Sequence, residues 1–144
     1  MFWFCFLSRD TAGQERYRSL TKTFFRDADG FLLVFDLTNE QTLMNLRHWI
    51  DDVRCNIDDE RVAMILVGNK SDLTEERQVS QLQAFKFAEQ EKLDYVETSV
   101  VENSNVKRAV ESLVETLMMR LEKNFSPINI RQTETIRQSQ ICSC

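Results

Sequence analysis

Apolar and polar positions in this 144-residue chain follow two different periods in turn. Gly30-Phe31-Leu32-Leu33-Val34-Phe35-Asp36 is a continuous apolar run of strand length, which predicts a strand covered on both faces. Ala63-Met64-Ile65-Leu66-Val67-Gly68 repeats that signature, and Tyr95-Val96-Glu97-Thr98-Ser99 is a weaker third. Between the first two runs, Leu43, Leu46, Trp49, Ile50 and Val53 fall on one helix face, with Thr38 and Gln41 forming a capping box at its start. A second helix follows Ser80, where Gln83 completes the same cap pattern and Leu82, Phe85 and Ala88 are expected inward. The third runs from about Val106 to Glu122, with Val110, Leu113, Val114, Leu117 and Leu121 inward, one of Met118 and Met119 in and the other out. Strand and helix alternate three times, so the reading is an α/β layered fold with parallel strands and right-handed crossovers.

After Asn124 the periodicity stops, and residues 125–144 read as a flexible tail rich in Gln, Ser, Thr and Asn with the only proline. The Asp58-Asp59-Glu60 cluster reads as a solvated loop. One domain suffices for 17.0 kDa. A net charge of -5 with a pI near 5.0 argues against a nucleic-acid partner, because phosphate neutralisation needs a basic face. The longest apolar run, Phe2 to Leu7, is far short of the ~20 residues that span a bilayer. Cys5, Cys55, Cys142 and Cys144 have no metal-ligand spacing and only His48 to join them, which fits a reducing cytosol better than a disulfide framework.

Chemistry enters where the second strand ends, at Asn69-Lys70-Ser71-Asp72. Ligands of open α/β sheets bind beyond the carboxyl ends of strands. A carboxylate there accepts two hydrogen bonds from the N–H groups of a guanine edge, and adenine offers no matching pair of donors. The tetrapeptide alone is also what an ordinary turn contains. It does not stand alone. Asp10-Thr11-Ala12-Gly13-Gln14-Glu15, Asn69-Lys70-Ser71-Asp72 and Glu97-Thr98-Ser99 resemble, in order and spacing, the third, fourth and fifth signature motifs of small guanine-nucleotide-binding proteins.

Gln14-Glu15-Arg16-Tyr17-Arg18-Ser19-Leu20 resembles the Rab family within that class. Phe24-Phe25-Arg26-Asp27-Ala28-Asp29-Gly30 and Leu33-Val34-Phe35-Asp36-Leu37-Thr38-Asn39-Glu40 are similar to the secretory Rabs, above all the Rab twenty-seven branch. The resemblance implies the P-loop NTPase fold of small GTPases, a mostly parallel sheet with helices on both faces, here without its first strands and first helix. It implies GTP or GDP with Mg²⁺ as ligands. Asp10, Thr11, Ala12 and Gly13 would serve the phosphate end, with Asp10 holding Mg²⁺ through a water and the Gly13 amide meeting the γ-phosphate. Gln14 would orient the attacking water, and the stretch from Arg16 to Leu20 would form a mobile switch. Asn69, Lys70 and Asp72 would take guanine, with the stem of Lys70 over the base and Ser99 and Val100 closing the pocket.

The pattern also departs from the family. No Gly-x-x-x-x-Gly-Lys-Ser/Thr occurs in the 144 residues, so nucleotide binding is expected to be weak and hydrolysis impaired. Arg9 stands where Rabs usually carry tryptophan, and Val100 where they usually carry alanine. Residues 1–9 read as an aromatic leader unmatched in the family, residues 10–124 as a partial small-GTPase domain and residues 125–144 as its tail. That tail ends in Cys142-Ser143-Cys144, similar to the Cys-x-Cys ending on which Rabs receive two geranylgeranyl groups, enough for stable anchoring. The implied partners are the escort and prenylation machinery, exchange factors, GTPase-activating proteins, effectors and a membrane met through the lipidated tail. The implied place is the cytoplasmic face of secretory vesicles or other endomembranes when prenylated, and the cytosol otherwise. Two other readings stay open here, a nucleotide-free module that sequesters escort or effector proteins and a partial gene product without function.

Overall fold

The computed structural model describes residues 28–57 and 62–124. Strands β1 (Gly30–Asp36), β2 (Ala63–Asn69) and β3 (Asp94–Glu97) alternate with helices α1 (Glu40–Asn56), α2 (Gln81–Glu91) and α3 (Val106–Asn124). The strands are parallel and ordered β1-β2-β3. Register runs from Gly30 opposite Ala63 to Asp36 opposite Asn69, and from Ile65 opposite Asp94 to Gly68 opposite Glu97. The carboxyl ends of all three strands therefore finish at one edge of the sheet. Among the described residues no helix is long and apolar enough to cross a membrane.

Side-chain alternation divides the core in two. Leu33 and Phe35 of β1 and Met64 and Leu66 of β2 pack with Leu43, Leu46, Ile50 and Val53 of α1 and Ala84, Phe87 and Ala88 of α2. Ala63, Ile65 and Val67 face the other way, onto Ala109 and Leu113 of α3. Helices thus cover both faces of a parallel sheet, the small-GTPase arrangement of layers. Ile65 and Leu66, both 0% exposed, mark β2 as the centre.

Several details differ from the sequence reading. The cap of α1 is Asn39, whose side chain accepts from the Gln41 amide at 3.1 Å. Thr38 is engaged elsewhere, since its amide and hydroxyl both donate to Asp36 Oδ1, at 2.8 and 2.7 Å. Ser80 does cap α2, accepting from the Gln83 amide at 3.2 Å, while the Gln83 side chain donates to Glu40 instead of closing a reciprocal box. On α2 the buried face is Ala84, Phe87 and Ala88, and Leu82 and Phe85 are 63% and 57% exposed. Phe87 and the two alanines, rather than Leu82 and Phe85, therefore set the rotation of the helix. Leu82→Ser is accordingly expected to change unfolding free energy by no more than about 0.5 kcal/mol in a urea titration.

The strand β1 is not covered on both faces, because Leu32 and Val34 are 36% and 54% exposed on the side that α3 shares. Helix α3 meets β1 near its start, where a Cβ on Gly30 would touch the Leu113 side chain. Arg120 then donates to the Val62 carbonyl just ahead of β2, so the last turn of α3 runs beyond the sheet. Leu121, expected inward, is 50% exposed for that reason, and Met118 and Met119 both face outward. Strand β3 ends at Glu97, and Ser99 forms an isolated antiparallel bridge with Ser104. The leader, the Asp58-Asp59-Glu60 loop and the tail lie outside the described residues.

Candidate functional site

Beyond Asn69 the chain reverses sharply at Lys70, whose φ of 68° lies in the left-handed region that side chains disfavour. The Leu73 amide closes the turn on the Lys70 carbonyl at 3.1 Å, and the Thr74 amide meets the Asp72 carbonyl at 3.0 Å. This turn is clasped to the segment leaving β3. The Ser71 amide donates to the Thr98 carbonyl at 3.1 Å, Ser99 Oγ donates to Asp72 Oδ1 at 2.5 Å, and Thr98 Oγ1 donates to Asn69 Oδ1 at 3.3 Å. Thr98 and Ser99 are buried polar residues, 4% and 0% exposed, and these bonds satisfy them. The second loop is closed in turn by the Glu102 amide on Ser99 Oγ at 3.1 Å and by Asn105 Nδ2 on the Glu97 carbonyl at 3.0 Å.

Two ion pairs brace the clasp from either side. Lys70 Nζ lies 2.6 Å from Asp36 Oδ2 at the end of β1. Burial works against the Asp36 charge, but the hydrogen bonds from Lys70 and Thr38 outweigh it and hold that carboxyl below its ordinary range. The same hydrogen bond and charge raise Lys70 above the ordinary lysine range. On the β3 side, Arg77 grips Glu97 with Nη1 at 3.0 Å from Oε2 and Nη2 at 2.5 Å from Oε1, while its Nε donates to the Val79 carbonyl at 2.6 Å. Tyr95 Oη adds a bond to Glu97 Oε1 at 2.8 Å. Burial opposes ionisation of Glu97, yet Arg77 and Tyr95 together lower it, whereas burial and then Glu97 push the Tyr95 hydroxyl far up.

The arrangement suits a flat base with two adjacent donors. A carboxylate offers about four lone-pair directions. Ser99 takes one of those on Asp72, which leaves acceptor capacity on that carboxylate. The structure brings together Asn69, Lys70, Asp72 and Ser99 from the sequence reading, and places Val100 beside them with a side chain 67% exposed. Asp10, Thr11, Ala12, Gly13, Gln14, Cys142 and Cys144 lie outside the described residues.

The sequence pattern that defines the Ras family matches residues 6–119. The chain belongs to the Ras family. Within the Ras family it is similar to Ras-related protein Rab-27B of Bos taurus, 46% identical over 124 residues that are 86% of this chain and 57% of the relative. It is likewise similar to Ras-related protein Rab-27A of Rattus norvegicus and of Homo sapiens, each 48% identical over 114 residues, 79% of this chain and 52% of the relative. These similarities put the chain among the Rab-type small GTPases, near Rab-27. It spans about half the length of the relatives it matches.

Three residues of this Ras-family site escaped the sequence reading. Asp36 appeared at the end of an apolar run and within the Rab-like stretch from Leu33 to Glu40, but not as a site residue, although its ladder position opposite Asn69 puts it within reach of Lys70. Arg77 gave no local signal, because its partner Glu97 is twenty positions away. Thr98 was read as part of a strand and of the Glu97-Thr98-Ser99 motif without a role of its own, and the structure makes it the link between the two loops.

Proposed function

We propose that this chain recognises guanine nucleotides through the clasped loops at the ends of β2 and β3, as part of a Rab-type switch in vesicle trafficking and exocytosis. The observation that carries the proposal is the Asp72 carboxylate, held by Ser99 Oγ at 2.5 Å in the loop that follows β2. Asn69 shapes the same pocket through Thr98, Lys70 stands at its side, and Val100 lies at its rim. Asp10, Thr11, Ala12 and Gly13 serve the phosphates and Mg²⁺, and Gln14 orients the water that attacks GTP. Cys142 and Cys144 carry the lipids that hold the protein to the cytoplasmic face of a vesicle, where exchange factors, GTPase-activating proteins and effectors meet it.

For the 144 residues themselves, which contain no Gly-x-x-x-x-Gly-Lys-Ser/Thr, affinity rests on the base. Two or three charge-assisted hydrogen bonds, less the cost of immobilising the ligand, give a Kd on the order of 1 mM. GMP titrated into ¹⁵N-labelled protein is expected to shift the amide resonances of Asn69 to Leu73 and Thr98 to Val101 saturably, while AMP leaves them in place. Asp72→Asn, which exchanges an acceptor for a donor, weakens GMP about tenfold. Equal responses to GMP and AMP would show that these loops do not read the base.

A further inference from the structure

We propose that Asp36 is a positioning residue for the base loop: it anchors Lys70 and thereby holds the Asn69 to Asp72 turn in the shape that presents the Asp72 carboxylate. The inference rests on the reading of that turn as the guanine-recognising loop. Three observations carry it. Lys70 occupies left-handed backbone, with φ 68°, although it has a side chain that disfavours that region. Its ammonium is tied back to Asp36 at 2.6 Å, and the parallel register makes this reach direct, because Asp36 stands opposite Asn69.

Asp36 is itself fixed before it meets Lys70. Its Oδ1 accepts from the Thr38 amide at 2.8 Å and hydroxyl at 2.7 Å, and its own amide donates to Thr42 Oγ1 at 3.0 Å in the first turn of α1. That leaves Oδ2 aimed at the turn. An ion pair whose lysine side chain is 49% exposed adds little to global stability. Its effect is local, on which backbone conformation the turn holds. Asp36 meets neither Asp72 nor Ser99, so it acts on the base through Lys70 and the turn.

Amide hydrogen exchange and GMP titration on the same ¹⁵N-labelled chain test this. In Asp36→Asn, which keeps an acceptor for Thr38 but removes the charge, the Leu73 amide that closes the turn and the Ser71 amide that clasps it to Thr98 are expected to exchange about tenfold faster. The Leu66 and Val67 amides of β2 keep their wild-type rates. Asp36→Glu, with its charge restored, recovers most of the protection. Lys70→Met loosens the turn equally, and adding Asp36→Asn to it changes nothing further. GMP binding to Asp36→Asn weakens about tenfold in parallel. Unchanged exchange at Ser71 and Leu73, acceleration spread through β2, or a loosened turn with wild-type GMP affinity would each overturn the proposal. Absence of any GMP response in the wild type would instead remove the guanine reading, and the exchange rates of the turn would still decide whether Asp36 holds it.

Discussion

Glu97→Ala is expected to destabilise the fold by about 2–3 kcal/mol at neutral pH, measured by urea unfolding. The change removes one carboxylate that serves two partners. Arg77 loses both its guanidinium bonds to Glu97, and the Tyr95 hydroxyl loses its acceptor. Breaking one side of a fully buried pair costs about 3–5 kcal/mol because the other charge is left uncompensated. Here the Arg77 and Glu97 side chains keep 24% and 20% of their exposure, so water softens the loss to the lower figure. Glu97→Gln retains the shape and one acceptor, and is expected to cost about half as much.

Acid separates the wild type from the variant in a direction fixed by the folded carboxyl. Glu97 titrates below its ordinary value of 4.5 in the folded chain. The unfolded state therefore takes up its proton first, and the stabilisation is complete above about pH 5. It fades as pH falls through the folded value, and Asp36, lowered from 3.8, adds a loss of the same sign. The gap between wild type and Glu97→Ala should thus narrow as pH drops from 5 toward 3. A gap that stays constant over that range would mean that the pair contributes packing rather than charge.

Much of this was legible in the sequence. Continuous apolar runs gave β1 and β2, and the three-four spacing of Leu43, Leu46, Ile50 and Val53 gave both α1 and its buried face. What failed was rotation and cover. On α2 Ala88 faces inward as expected, but Leu82 and Phe85 point outward, and Phe87 packs inward together with Ala84 and Ala88, a face whose small residues stand out less in the sequence than Leu82 and Phe85. On β1 an unbroken apolar run did not mean two covered faces, since α3 crosses the sheet over β2 and leaves Leu32 and Val34 half open. At the candidate site the two loops were visible as motifs, while their braces were not. The pair of Asp36 with Lys70 depends on parallel register, which sets Asp36 opposite Asn69, and the pair of Arg77 with Glu97 joins the loop after β2 to the end of β3, so each links residues that are distant along the chain.

The same register explains a glycine that the apolar run of β2 did not account for. Gly68→Val is expected to cost about 3 kcal/mol, at the upper end of ordinary overpacking. A Cβ at Gly68 would stand 2.9 Å from Tyr95 Oη and 3.1 Å from both Leu37 Cδ2 and Phe35 Cζ. None of these gives way easily. Phe35 and Leu37 are 2% and 1% exposed, and the Tyr95 ring lies against Phe35 with centroids 6.3 Å apart while its hydroxyl is held by Glu97. Pushing Tyr95 aside would disturb Glu97 and Arg77, and moving β2 instead would shift the Gly68 carbonyl that accepts from the Thr98 amide at 2.8 Å. Either route reaches the loops that hold Asp72. A double-mutant cycle tests the steric account, because Leu37→Ala opens space beside the new methyl groups. Gly68→Val combined with Leu37→Ala should cost less than the sum of the two single changes by about 1 kcal/mol. Full additivity would place the strain at Tyr95 and Phe35 alone, and a neutral Gly68→Val would show that the contact between β2 and β3 at this level has room to spare.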